Sequence, residues 1–139
     1  MRSTLAITIA GVCLGALIAD APVVAHHAFS AEFDANRPLR LQGKVAKTEW
    51  INPHSWIHID VEDENGQVLT WAIECGAPNA LMRRGLNKNS VPVGTELVID
   101  GFQAKDGSTT ANARDITLPD GSTFFVGSSG TGAPYDRPR

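Results

Sequence analysis

Four histidines carry the most distinctive chemistry in this 139-residue chain. His26 and His27 stand side by side, and His54 and His58 flank Trp56. Imidazole is the commonest metal-binding side chain and the one whose charge changes nearest neutral pH. If the chain is cut after Ala25, His26 becomes the first residue, and its α-amine, titrating at only about 8, can chelate a metal together with its own ring. Nitrogen ligands of this kind suit Cu(II), the tightest-binding divalent ion of the first row. His26, His27, His54 and His58 are therefore the candidate copper ligands.

Spacing restricts how they combine. His54 and His58 are four apart, which is one face of a helix, but the residues around them alternate as a strand does. On a strand that separation spans about 13 Å at roughly 3.3 Å per residue. Two nitrogens that must each lie about 2 Å from one ion cannot bridge it. A shared site therefore needs the leading histidines together with His54 or His58. Asp60 and Glu74 fall on the same expected face as His58 and are the carboxylates placed to orient its ring. The same residues also have a plainer use: Asn52-Pro53-His54 is good turn chemistry, and His26 and His27 can be a frayed end. Trp50, Asn52, Pro53, Trp56 and Glu74 form a candidate surface for a ligand or an envelope protein partner, although tryptophans serve equally well as core.

Catalysis has little support. There is no Gly-x-Ser-x-Gly elbow, phosphate loop or Cys-x-x-Cys pair, and Cys75 lies in a strand with nothing beside it in sequence to activate a thiol. The expectation is a binding or accessory protein and not an enzyme. A role in haem handling through His54 or His58 has no marked axial partner.

The first residues read as a secretory signal over 1–25. Arg2 is the positive start, Leu5 to Ala19 is apolar except for Thr8, and Val23 and Ala25 are the small residues before the cut. The run is shorter than the roughly 20 apolar residues a spanning helix needs, so no membrane span is expected after its removal. The expected location is the periplasm. With Cys13 lost in the signal, Cys75 has no partner for an internal disulfide. The formal net charge of −3 argues against nucleic acid, whose binders carry basic patches.

The mature part divides into an N-terminal extended segment, 26–38, one domain, 39–126, and a Gly, Ser and Pro-rich tail, 127–139, expected to be disordered. Asn65-Gly66, Asp106-Gly107 and Asp120-Gly121 are hairpin signals between β-branched runs. Strands are expected at Leu39 to Ile51, Ser55 to Glu62, Gln67 to Cys75, Thr95 to Ala104 and Ala111 to Leu118, with a short sixth at Ser122 to Val126. A short helix fits Ala77 to Gly85, with Pro78 in its first turn and Gly85 at its end. This order makes an all-β fold with one short helix, a small antiparallel OB-like barrel of five to six strands. A three-residue Glu64-Asn65-Gly66 loop, with Gly66 left-handed, pairs Val61 with Leu69, Ile59 with Trp71 and Ile57 with Ile73, which keeps both apolar sets on one face.

Four blocks give the chain a family resemblance. They are Ala25-His26-His27-Ala28-Phe29-Ser30-Ala31-Glu32-Phe33-Asp34, Trp50-Ile51-Asn52-Pro53-His54-Ser55-Trp56, Ala77-Pro78-Asn79-Ala80-Leu81 and Thr110-Ala111-Asn112-Ala113-Arg114. Together they resemble a family of small exported bacterial proteins of unknown function, over roughly Ala25 to Val126. The resemblance implies export and a small β-rich domain, and no activity.

Overall fold

The computed structural model describes residues 29–135. The expected signal, His26, His27 and the last four residues lie outside that range. The described chain is mostly antiparallel β: α1 (Phe29–Glu32), β1 (Phe33–Glu49), β2 (Trp56–Glu62), β3 (Val68–Glu74), α2 (Pro78–Arg83), β4 (Glu96–Ala104), β5 (Thr110–Thr117) and β6 (Thr123–Phe125). From β2 onward each strand begins and ends within one residue of the position its sequence predicts.

The six strands form one sheet in the order β3-β2-β1-β4-β5-β6, and a parallel β3–β5 pairing brings its arms together. The pairings β1–β2–β3–β5–β4–β1 trace a ring, the OB-like order expected from three strands, a helix and two strands. Strand β1 is long because it serves both arms. Its first part pairs with β4 from Phe33 to Lys44, and its last part pairs with β2 from Lys44 to Glu49, with a register shift between Val45 and Lys47.

The β2–β3 register is the one the apolar pattern demands, with Ile57 opposite Ile73, Ile59 opposite Trp71 and Val61 opposite Leu69. In the turn, Gln67 C=O accepts the Asp63 N–H and Gly66 has φ of 77°. That conformation costs glycine little and other residues more. The inward side chains Val45, Ile57, Ile59, Ile73, Leu97, Ile99 and Ile116 are buried in one core, with Leu81 of α2 closing it.

Two expectations are corrected. The segment 26–38 is not simply extended: α1 occupies Phe29–Glu32, and β1 starts at Phe33 instead of Leu39. Pro38 sits inside β1 at a register shift between Phe33 and Pro38, where an irregular ladder tolerates its missing N–H. The tail is likewise ordered through Tyr135. Ala133 is buried, and the Tyr135 ring lies against Phe29, Phe102 and Phe125. Polar composition is a poor guide there, because one alanine and one aromatic pack this segment against the aromatic cluster of Phe29, Phe102 and Phe125.

Gly101 is the closest backbone approach in the ring. A Cβ there would lie 2.2 Å from the Asn112 carbonyl oxygen, at a register shift between β4 and β5. Gly101→Ala is expected to cost about 1–3 kcal/mol, the range of overpacked sites, seen as a lower urea midpoint with an unchanged slope.

Candidate functional site: a roofed histidine and carboxylate

Strand alternation sends Ile73 and Cys75 into the core and Glu74 to the outer face of β3. In β5, Ala111 and Ala113 go inward and Asn112 outward. The parallel pairing sets Glu74 beside Asn112, and the antiparallel pairings add Trp56 on one side and Phe102 on the other. An outer face is ordinarily wet, yet Glu74 is only 6 % exposed and Asn112 only 2 %. The cover comes from both ends of the described chain. The Phe29 ring meets Phe102 edge-on at 5.4 Å, the Tyr135 ring stacks on Phe102 at 6.4 Å, and the Phe29 N–H donates to the Thr131 carbonyl at 2.8 Å.

His54 enters from the β1–β2 loop. Its neighbour Ser55 is pinned to the end of β3, donating N–H to Gly76 C=O at 3.1 Å and accepting from Cys75 N–H at 2.8 Å. This places His54 Nδ1 2.8 Å from Glu74 Oε1. When ionised, Glu74 accepts the Nδ1–H of that ring. Glu74 also hydrogen-bonds the Asn112 side chain, and Asn112 Oδ1 accepts the Tyr135 hydroxyl at 2.5 Å.

Burial pushes the Glu74 carboxyl up to about 7, with a further push from the Glu32 carboxylate of α1 and an opposing pull from Asn112. The site thus holds an imidazole against a buried carboxyl.

His58 is placed differently from its expected role. Its Nε2 lies 2.9 Å from Glu49 Oε2, and Glu49 Oε1 accepts from Lys47 Nζ at 2.9 Å. Asp60 instead accepts the Thr70 hydroxyl at 2.6 Å, and Glu74 goes to His54. The carboxylates expected to orient His58 are therefore both occupied by others, because Glu49, on the far side of β2, lies diagonally across from it.

Trp50 packs against the main core, while Ile51, Asn52 and Pro53 are exposed, Ile51 by 55 %. Trp56 is half-buried between Glu49 and Glu74. Among the described residues, no three His, Cys, Asp or Glu side chains gather into a metal-binding group, and no helix is long and apolar enough to cross a membrane. Cys75 is wholly buried, and that burial pushes its thiol upward.

Sequence reasoning missed Asn112, Tyr135, Glu32 and Glu49. The first had a signal: in an OB-like ring β3 lies against β5, so the polar residue alternating between Ala111 and Ala113 had to neighbour Glu74.

Residues 15–113 match the model of DUF6152, a family of unknown function. No curated protein and no solved structure matches the chain.

Proposed function

The chain belongs to the DUF6152 family, and from its site we propose that it is an exported, periplasmic binding protein, not an enzyme, that takes a Cu(II) ion through His54 and the leading histidines. The observation that carries this reading is the 2.8 Å contact between His54 Nδ1 and the buried Glu74. A histidine that binds metal through one nitrogen characteristically donates the other N–H to a carboxylate, which fixes its tautomer and raises its basicity.

Proximity of the two ends supports the second part. Phe29 is anchored on the roof over Glu74 and Asn112, its ring 6.4 Å from that of Tyr135. His58, engaged by Glu49 on the open face, is the weaker candidate for the shared ion.

The test is a copper titration of the mature chain, with mass spectrometry to fix its first residue. The expected result is one Cu(II) bound at micromolar concentration or tighter, weakening as pH falls through the imidazole range because protonated histidine cannot ligate. A first residue other than His26 would remove the amine from the site.

The exposed Ile51-Asn52-Pro53 apex supports a second reading, a docking surface for an envelope partner flanked by Trp50 and Trp56. It is favoured if the folded chain binds no copper under these conditions.

A further inference from the structure

We propose that Asn65, at the tip of the β2–β3 hairpin, is a site of spontaneous deamidation, and that Asp63 sets its rate by holding the turn closed. The reaction is independent of any bound metal.

Asn65 is the chain's only asparagine followed by glycine. The chemistry needs the backbone nitrogen of the next residue to reach the asparagine side chain, and glycine leaves that approach unobstructed because it has no Cβ. The Gly66 nitrogen attacks Cγ of Asn65 and an N–C bond forms. The side-chain amide nitrogen leaves as ammonia, taking the Gly66 proton with it. Water then opens the five-membered imide at either carbonyl. One product is aspartate, and the other is isoaspartate, in which the main chain runs through Cβ and Cγ.

The surroundings single out Asn65 among its kind. In the two similar turns, Asp106 Oδ1 accepts the Ser108 N–H at 2.9 Å and Asp120 Oδ1 accepts the Ser122 N–H at 2.8 Å, so both side chains are held. Asn65 is exposed, as are Glu64 and Gly66 on either side, and its side chain bonds no other described residue. Elsewhere, Asn52 precedes a proline, which has no N–H to react. Asn87 Oδ1 accepts the Asn89 N–H, and Asn112 is buried in β5.

The restraint lies in the turn itself. The Gly66 N–H donates to Asp63 C=O at 3.0 Å, while the Asp63 carboxylate accepts the N–H groups of Asn65 at 2.8 Å and Gln67 at 2.9 Å. The reacting nitrogen is thus directed at Asp63 and must swing away to reach Cγ. Conversion therefore proceeds through local openings of the tip, which cost far less than global unfolding.

The product disturbs the feature that fixes the strand register. Isoaspartate puts one more carbon into the main chain of the loop whose length holds Val61 opposite Leu69. Either product also adds a carboxylate next to Asp63 and Glu64, with the Glu62 carboxylate 3.7 Å from where a Cβ on Gly66 would stand.

The test incubates the mature chain at pH 8, folded and in urea, and follows Asn65 by mass spectrometry of its tryptic peptide. The folded chain is expected to yield aspartyl and isoaspartyl forms at Asn65 before any other asparagine converts, and more slowly than the unfolded chain. Folded Asp63→Ala is expected to convert roughly fivefold faster, the change in open population that about one net hydrogen bond represents. An intact Asn65 in the folded chain after the unfolded chain has converted would overturn the site. Equal rates in Asp63→Ala and the parent would overturn the part given to Asp63.

Discussion

His54→Ala is expected to lower the affinity for Cu(II) by at least about a hundredfold, more than the roughly 10–100-fold that loss of a supporting partner costs. It removes a coordinating nitrogen outright, and no other described histidine stands in contact with Glu74 to replace it. The fold should survive. The core of Ile57, Ile59, Ile73 and Ile99 lies on the opposite side of the strands from Glu74, and Glu74 keeps its Asn112 partner. The stability cost is about 1–2 kcal/mol for one lost donor to a buried carboxylate. Isothermal titration beside urea unfolding separates the two effects. His58→Ala, removing a ring that pairs with Glu49, should leave affinity within a few fold of the parent.

The second large effect is on stability against pH. Glu74 titrates at about 7 in the folded chain against an ordinary value of 4.5, so folding binds a proton in that interval. Its contribution is complete below about 4.5 and is lost as pH rises through 7. At about 1.4 kcal/mol per pH unit the loss amounts to at most roughly 3 kcal/mol, reduced by the His54 donor. Without metal, the chain should therefore be measurably less stable at pH 8 than at pH 5. Glu74→Gln, which remains neutral throughout, should flatten that slope. Asp106 and Asp120 act in the opposite direction and at lower pH. Hydrogen bonds from Ser108 and Ser122 hold these exposed carboxyls down, so their contribution disappears only as pH falls below the usual carboxylate range. Urea midpoints at pH 3, 5 and 8 check both limbs. Equal stability at 5 and 8 would contradict the buried placement of Glu74.

Local patterns made the strands legible. The Asn65-Gly66 pair and two alternating apolar triplets leave one loop length that puts both triplets on one face, and the ladder of β2 with β3 follows it residue by residue. The same alternation placed Glu74 on the outer face. What stayed hidden depends on residues far apart in the chain. Glu74 meets Asn112 only because β3 and β5 close the ring in parallel, and His54 rather than His58 reaches Glu74 because the loop end is pinned at Ser55 and Gly76. The tail misled for a different reason: a segment poor in apolar residues can still be ordered when its single aromatic meets an apolar groove supplied by Phe29, Phe102 and Phe125.

At the centre of the account is one atom, the Nε2 nitrogen of His54, acting as a metal ligand while Glu74 holds Nδ1. Electron paramagnetic resonance of the mature chain with one equivalent of Cu(II), comparing the parent with His54→Ala, tests it most directly. The account predicts coupling to several nitrogens in the parent and one fewer coupled imidazole in the variant. An identical nitrogen pattern in both proteins, or a spectrum of unbound copper in the parent, would contradict it.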